Sequence, residues 1–322
     1  MQRKPYTVWP FSLSEPRFFS ARDAKPWMQI FRSVDAMQAH ADDVRRSRAT
    51  HALVPTMGAL HEGHLGLVDE ALDRADHVTV SIFVNPTQFG PDEDYDAYPR
   101  GLEADCEKLD ARGVDAVFAP TVGQMYPHAG DDAFADPVTW VEVERLTDHL
   151  CGAYRDGHFR GVTTVVAKLF NACKPNLSVF GTKDAQQLVV LRRMTADLLF
   201  DVEIVGVPTV RKSDGLAASS RNQYLSDRER MQSTVLHDAV QTAERLVQNG
   251  EQEAQAIVDA MRNALAQAPD GDVEYAEVVD AHSLQPIDTL IPGQAVLVAV
   301  AVYFGDTRLI DNVFAEVPEE RA

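Results

Sequence analysis

Short apolar runs alternate with amphipathic stretches along most of the chain. The apolar runs are rich in β-branched residues and end in Gly, Pro or polar residues, a pattern typical of buried parallel strands. The stretches between them carry apolar residues at helical spacing. This alternation predicts an α/β fold built on a Rossmann-like, doubly wound parallel sheet. The predicted strands are 51–54, 77–84, 114–119, 177–180 and 202–207, and the predicted helices end near 46 and 75 or span 99–112, 159–172 and 184–199.

The pattern changes after Pro208. A polar segment at 211–222 comes first, and longer helices and alternating strands follow it. These elements predict a smaller C-terminal α+β domain with an antiparallel sheet. The predicted helices are 226–248 and about 252–266, and the predicted strands are 273–279, 295–303 and 307–313, the last two joined by a turn at 304–306.

These patterns divide the chain into three parts. Residues 1–26 have no periodic pattern and form an N-terminal extension. Residues 27–207 form the Rossmann-like domain, and residues 208–322 form the smaller, lid-like C-terminal domain. Ligands of doubly wound sheets bind beyond the carboxyl ends of the strands, so we expect the polar loops after Val54, Val84 and Phe180 to meet in one crevice.

The loop after the strand at 51–54 carries the main candidate chemistry. A strand-to-helix turn with small residues lets backbone N–H groups approach a phosphate, and the helix N-terminus adds partial positive charge. His61 and His64 are three residues apart and can donate to the same oxygens. A zinc-protease motif needs histidines four apart on an uninterrupted helix, whereas Gly63 lies between these two. For this stretch alone, a solvated pair of surface histidines remains the alternative.

Charge and cysteine content restrict the function further. The formal net charge of −19 argues against a nucleic-acid-binding protein, because neutralising phosphates requires clustered Lys and Arg. An anionic ligand must therefore bind in a local cationic pocket. Three widely spaced cysteines suit reduced thiols in the cytoplasm better than a disulfide framework. No stretch is long and apolar enough to span a bilayer, so we expect no membrane partner.

Six motifs in order along the chain resemble those of the pantothenate synthetase (pantoate–β-alanine ligase) family. Their number and order make the resemblance highly specific, and it extends from about Trp27 to the C-terminus. The motifs are P-T-M-G-A-L-H-E-G-H at 55–64, S-I-F-V-N-P-T-Q-F-G at 81–90, Y-P-R at 98–100, G-H-F-R-G-V-T-T-V-V-A-K-L-F-N at 157–171, F-G-T-K-D-A-Q-Q-L at 180–188 and D-G-L-A-A-S-S-R-N at 214–222.

The resemblance implies ATP-dependent condensation of pantoate with β-alanine through a pantoyl-adenylate, which gives pantothenate, AMP and diphosphate. The family belongs to the nucleotidyltransferases with a HIGH-type signature, here at 61–64. The resemblance also implies that the protein uses Mg²⁺, forms a homodimer, and binds ATP and pantoate in the domain at 27–207. Because no covalent enzyme intermediate is required, we do not expect a Ser/His or Cys/His nucleophile.

Site residues follow from the resemblance, position by position. His64 is the proton donor of the family, and His61, Lys183 and Arg221 act on the phosphates. Gln88 and Gln187 hold pantoate, with Gln88 also near β-alanine, and Asp105 lies near the magnesium ion. The ATP-binding residues are Met57, Gly58, Ala59, Leu60, His61, Glu62, Gly63, His64, Gly181, Thr182, Lys183, Asp184, Val210, Ala218, Ser219, Ser220 and Arg221.

Two rival classes remain open. The first is another adenylate-forming enzyme with a HIGH-type helix, such as a relative of the aminoacyl-tRNA synthetases, which tRNA charging would reveal. The second is a non-catalytic nucleotide-binding homologue, which AMP formation would exclude.

Thr182 stands where the family commonly has Glu, and we expect this position to contact ATP through its backbone, so that the change has little effect.

Overall fold

A computed structural model describes residues 27–91, 93, 95–127 and 137–319. The extension predicted at 1–26 therefore lies outside the described residues. Two sheets organise the described part of the chain, one of six strands and one of three. The larger sheet is parallel in every strand pair, and the smaller sheet is antiparallel. The predicted α/β fold with a smaller antiparallel sheet is confirmed.

The larger sheet has the strand order β1-β4-β3-β2-β5-β6. The chain runs outward from β2 through β3 to β4, and it then returns to β5 on the other side of β2. The topological switch point, where such sheets bind ligands, therefore lies between β2 and β5. The strands are β1 Gln29–Phe31, β2 His51–Thr56, β3 His77–Ile82, β4 Ala116–Phe118, β5 Leu177–Gly181 and β6 Glu203–Val207.

Helices cover both faces of this sheet. The longest of them, α6, is buried along most of its length, because it packs between the sheet and its neighbours α1 and α7. Ser33 caps the first helix through its side chain, as the sequence predicts. The helices are α1 Val34–Arg46, α2 Glu62–Arg74, α3 Leu102–Asp110, α4 Val122–Met125, α5 Cys151–Tyr154, α6 His158–Cys173 and α7 Ala185–Asp197.

The C-terminal part differs from the prediction at one point. The prediction of a single helix over 226–248 is wrong, because the structure has two helices there, which meet at Ser233 and Thr234. Both hydroxyl groups donate to carbonyls three residues back, which competes with the helical bonding pattern. The elements are α8 Asp227–Gln232, α9 Val235–Gln248, α10 Ala254–Leu265, β7 Gly271–Asp280, β8 Ala295–Phe304 and β9 Thr307–Glu316.

Strand β8 is the middle strand of the small sheet, and both of its faces are buried. Successive side chains point to opposite faces of a strand, so they enter two different clusters. One set packs against α9 and α10, and the other packs beside Phe159 of α6 and Val190 of α7. The first set is Val296, Val298, Val300 and Val302, and the second is Leu297, Ala299 and Ala301. The small sheet is therefore joined to the larger part by a hydrophobic cluster.

Candidate active site

A cavity of about 250 Å³ lies at the carboxyl ends of β2, β3 and β5, at the switch point of the larger sheet. A neighbouring cavity of about 80 Å³ lies against the small sheet and shares part of its wall. The larger cavity combines an apolar wall from α6 with polar side chains from the loops. Its polar lining residues are Thr56, His61, His64, Asn85, Gln88, Tyr98, Arg155, His158, Lys183, Asp184, Gln187, Thr209, Ser219, Ser220 and Arg221.

The loop between β2 and α2 is held from beneath by a buried carboxylate. Asp105, only 2% exposed, accepts hydrogen bonds from the backbone N–H groups of Ala59 and Leu60, each at 2.8 Å. Gly58 and Ala59 both have positive φ, at 85° and 51°. A Cβ atom at Gly58 would also lie 3.1 Å from Oδ2 of Asp105. The carboxylate therefore stabilises a backbone conformation that is otherwise unfavourable for Ala59.

Both histidines of the signature have a defined orientation. Nδ1 of His61 accepts from the backbone N–H of Gly63 at 3.1 Å, and Nδ1 of His64 accepts from the backbone N–H of His61 at 3.4 Å. Because each Nδ1 is an acceptor, each neutral ring carries its proton on Nε2. The two rings also lie against each other, with centroids 4.1 Å apart and their planes tilted by 34°. Each ring can thus offer an Nε2–H donor to a ligand in the cavity that both rings line.

The electrostatic environment keeps these two rings neutral at pH 7. Burial lowers the pKa of His61 to about 3, with further repulsion from His64 and Lys183. Burial also lowers the pKa of His64 to about 4, while Asp184 opposes this shift and Lys183 adds to it. A Cβ atom at Gly63 would lie 2.8 Å from Cε1 of His61, so a larger residue at this position would displace the His61 ring.

A second group of residues follows β5. Lys183 lines the cavity, and its Nζ lies 3.9 Å from Oδ1 of Asp184. Asn312 of β9 donates to the backbone carbonyl of Lys183 at 2.6 Å, which ties this turn to the small sheet. The hydroxyl oxygen of Thr182 lies 3.4 Å from that of Thr209, which lines the cavity, whereas Thr182 itself is not among the lining residues. A lysine beside a partly exposed carboxylate suits contact with phosphate and ribose groups.

The segment after Pro208 forms the remaining wall. Val210 and Ala218 line the cavity together with Ser219, Ser220 and Arg221. The base of this segment is anchored by Arg211, which makes a bidentate ion pair with the buried carboxylate of Asp311 at 2.6 and 2.9 Å.

The amide of Gln88 has a fixed orientation. Its Oε1 accepts from Nδ2 of Asn85 at 3.1 Å, and its Nε2 lies 3.1 Å from Sδ of Met57. Gln187, at the start of α7, lines the cavity from the opposite side. The two amides therefore flank the same space, as expected from the loops that carry them.

Most of the predicted site residues meet at this cavity. Those that line it are Met57, His61, Gly63, His64, Gln88, Gly181, Lys183, Asp184, Gln187, Val210, Ala218, Ser219, Ser220 and Arg221. The lining does not include Gly58, Ala59, Leu60, Glu62, Asp105 or Thr182. The first three of these shape the loop, and Asp105 supports it from below. The contact of Asp105 with magnesium stays a prediction.

Arg155 and His158 are among the lining residues that were not identified as site residues from the sequence. Arg155 binds the carboxylate of Glu93 through two nitrogens, and its Nη1 lies 3.0 Å from Nε2 of His158. Nδ1 of His158 lies 2.8 Å from the backbone carbonyl of Gln88, so it is the donor. Burial lowers the pKa of His158 to about 3, which keeps this ring neutral. The motif at 157–171 contains His158 and was a usable signal, whereas Arg155 lies outside it.

Comparison with known proteins gives consistent results. The family model for pantoate-beta-alanine ligase matches residues 29–314. A pantothenate synthetase of Salinibacter ruber is 66% identical over 295 residues, which are 92% of this chain and 100% of that protein. A pantothenate synthetase of Thermotoga petrophila is 48% identical over 88% of this chain and 99% of its own length.

Solved structures agree with this result. The crystal structure of pantothenate synthetase from Thermus thermophilus superposes with a TM-score of 0.81 at 43% identity, over 90% of this chain and all of that one. Pantoate-beta-alanine ligase from Francisella tularensis, solved with beta-gamma ATP and beta-alanine, gives a TM-score of 0.71 at 28% identity, over 89% and 97% of the two chains. The chain belongs to the pantoate–β-alanine ligase family, the pantothenate synthetases.

Proposed function

We propose that the larger cavity performs both half-reactions of this family with the side chains that line it. The chain is a pantoate–β-alanine ligase, which uses ATP to join pantoate and β-alanine through a pantoyl-adenylate and releases AMP and diphosphate. The observation that carries the assignment of roles is the meeting of His61, His64, Lys183 and the amide of Gln88 around one cavity.

In the first step, a carboxylate oxygen of pantoate attacks the α-phosphorus of ATP. The new O–P bond forms as the bond to diphosphate breaks, and negative charge grows on the phosphate oxygens. The Nε2–H groups of His61 and His64 and the ammonium group of Lys183 stabilise this charge. Ser219 and Arg221 supply further donors to the departing diphosphate. Donors fixed in place before the reaction are effective because they need no reorganisation, and losing one typically slows turnover by about 10²–10³-fold.

In the second step, the amine of β-alanine attacks the carbonyl carbon of the mixed anhydride. The C–N bond forms, and the C–O bond to AMP breaks. Gln88 and Gln187 hold the pantoyl group between them during both steps. A neutral amide suits this task, because it binds hydroxyl and carboxylate groups without becoming a competing nucleophile. Fixing the reactants in line supplies much of the rate enhancement.

Mg²⁺ enters this proposal as an ion carried by ATP. Within residues 27–91, 93, 95–127 and 137–319, no group of three His, Cys, Asp or Glu side chains could hold a metal ion. In proteins, Mg²⁺ is usually bound by substrate phosphates, water and one or two carboxylates. Asp184 lines the cavity, whereas Asp105, which the resemblance places near the ion, does not. When bound, the ion neutralises charge on the phosphate oxygens.

We assign a homodimer and a cytoplasmic location to the protein as part of the same proposal. The free thiols of Cys106, Cys151 and Cys173 support a reducing compartment. The described part of the chain contains no helix that is long and apolar enough to cross a membrane. Light scattering tests the dimer, since a mass near that of one 35.6 kDa chain would contradict it.

The experiment for the proposed roles is AMP detection with pantoate, β-alanine, ATP and Mg²⁺, in which each component is omitted in turn. AMP release should require all four. His64→Ala should lower turnover by about 10²–10³-fold, because a transition-state donor is lost. The control is His282→Ala, since His282 lies exposed after β7. Near-native turnover of His64→Ala, with both variants folded, would reject the role of His64.

A further inference from the structure

A buried phenol lies behind the proposed pantoate subsite. Tyr126 follows helix α4 and is 3% exposed, and its hydroxyl group donates to Oδ1 of Asn85 at 2.8 Å. The hydroxyl group of Thr87 donates to the same oxygen at 3.0 Å. Tyr126 does not line the cavity, so it makes no direct contact with a ligand there. Its hydroxyl group nevertheless lies two hydrogen bonds away from the amide of Gln88.

The backbone carbonyl of Gly161 determines which way the amide group of Asn85 faces. Nδ2 of Asn85 lies 3.2 Å from the backbone carbonyl of Gly161, which can only accept a hydrogen bond. The nitrogen of the Asn85 amide must therefore face Gly161, and its oxygen must face the two hydroxyl groups. The second N–H of Asn85 then donates to Oε1 of Gln88 at 3.1 Å. Every hydrogen-bonding position of the Asn85 amide is used.

The same reasoning fixes the amide of Gln88. Since its oxygen is held by Asn85, its nitrogen lies on the other side, 3.1 Å from Sδ of Met57. Thioether sulfur is a weak acceptor, so the N–H groups of Gln88 are available to a stronger one. A pantoate carboxylate or hydroxyl oxygen in the cavity is such an acceptor. A flipped amide would instead present an oxygen and repel the carboxylate.

Close backbone packing makes this network possible. Helix α6 contacts the short 3₁₀ helix Pro86–Gln88 at Gly161, where a Cβ atom would lie only 2.3 Å from the carbonyl oxygen of Thr87. Any larger residue at 161 would separate the two segments and withdraw the carbonyl that orients Asn85. Burial raises the pKa of Tyr126 to about 12, so the hydroxyl group stays protonated and able to donate at neutral pH.

We propose that Tyr126 is a positioning residue for pantoate, which acts through Asn85 to hold the Gln88 amide with its N–H groups toward the cavity. The inference rests on the proposed role of Gln88 and adds a residue outside the cavity to it. Without the phenol hydroxyl group, Asn85 keeps one donor instead of two at Oδ1, so its amide and that of Gln88 are held less firmly in this orientation. Binding of ATP, which uses the other wall, should not change.

The test removes one oxygen atom, in Tyr126→Phe. We expect the dissociation constant and the KM of pantoate to rise about tenfold, the value of one hydrogen bond of about 1.4 kcal/mol. The KM of ATP should stay within about twofold. Pantoate binding is measured by calorimetry on protein saturated with α,β-methylene ATP, in which the bridge that breaks during adenylate formation cannot be cleaved. The control is Ser233→Ala, which removes another buried hydroxyl group that lines neither cavity.

A double-mutant cycle separates positioning from a general structural effect. Tyr126→Phe should weaken pantoate binding in the native chain and have no further effect in the Gln88→Ala background. Equal effects in the two backgrounds, or native pantoate affinity in Tyr126→Phe alone, would overturn the proposal. Failure of the proposed function is recognised separately, as native protein that releases no AMP or as unchanged pantoate affinity in Gln88→Ala.

Discussion

Replacing Asp105 by Asn tests whether this carboxylate acts on the nucleotide loop or on the metal ion. The substitution keeps the shape of the side chain but exchanges one oxygen for an NH₂ group. Both oxygens of Asp105 accept backbone N–H groups at 2.8 Å, from Ala59 and Leu60. The side chain of Asn can accept a hydrogen bond from only one of these N–H groups, and its own NH₂ group, a donor, faces the other. The loop must then move, or one buried amide must lose its partner.

The magnitude follows from these contacts. A hydrogen bond to a charged group contributes about 1.5–3 kcal/mol, and the released strain at Ala59 offsets about 1 kcal/mol of this loss. We therefore expect the free energy of unfolding to fall by about 1–2 kcal/mol. A displacement of the loop by about 1 Å would lower kcat/KM for ATP by as much as about 10²-fold, because the donors of His61 and His64 move with it.

Urea unfolding without ligand and ATP kinetics at several Mg²⁺ concentrations provide the assay. A carboxylate that supports the loop predicts lower stability of the free protein and a kinetic defect that excess Mg²⁺ does not repair. A carboxylate that binds the ion predicts native stability and a higher Mg²⁺ requirement. The second result in the Asp105→Asn variant would refute the reasoning from the loop geometry.

Three further predictions concern pH, the nucleotide turn and the C-terminal anchor. The folded pKa values of His61 and His64, about 3 and about 4, lie below the unfolded value of 6.5, so the unfolded chain binds more protons. Stability should therefore be full above pH 6.5 and fall as the pH drops toward 4; an unchanged urea midpoint between pH 7.5 and 5 would contradict this. Thr182→Glu should leave the KM of ATP within about twofold, because Thr182 is not among the residues that line the cavity; a large gain in affinity would show that its side chain does contact ATP. Arg211→Met should lower the free energy of unfolding by about 3 kcal/mol, because Asp311 is left as an unpaired buried charge; a loss below about 1 kcal/mol by urea unfolding would be inconsistent with that pair.

The sequence predicts those features of the fold that depend on local patterns. Buried strands such as β3 show continuous β-branched runs, and Ser33 lies where a helix needs a capping side chain. The helix over 226–248 was mispredicted, because its apolar spacing continues through Ser233 and Thr234. Whether a hydroxyl group bonds to its own helix depends on packing that periodicity does not contain. The one-turn helix α5 and the three-residue strand β1 are too short to show a period.

The residues of the site also fall into two groups, those that could be identified from the sequence and those that could not. Motif residues such as Lys183 and Gln187 could be identified because the motif at 180–188 that contains them resembles one of the family's. Arg155 and Tyr126 could not, since each acts on a segment far along the chain, at Glu93 and at Asn85. Sequence position says little about such contacts. They depend on how the segments are brought together by the sheet and by the close packing of α6.

Both faces of strand β8 are buried, and this restricts how the protein can open. Rotating the whole C-terminal part away would expose Leu297 and its neighbours Ala299 and Ala301 to water, along with the apolar surface of α6 and α7 that covers them. Each large side chain exposed would cost about 1.5–3 kcal/mol. We therefore expect the two sheets to stay together while substrates enter and products leave.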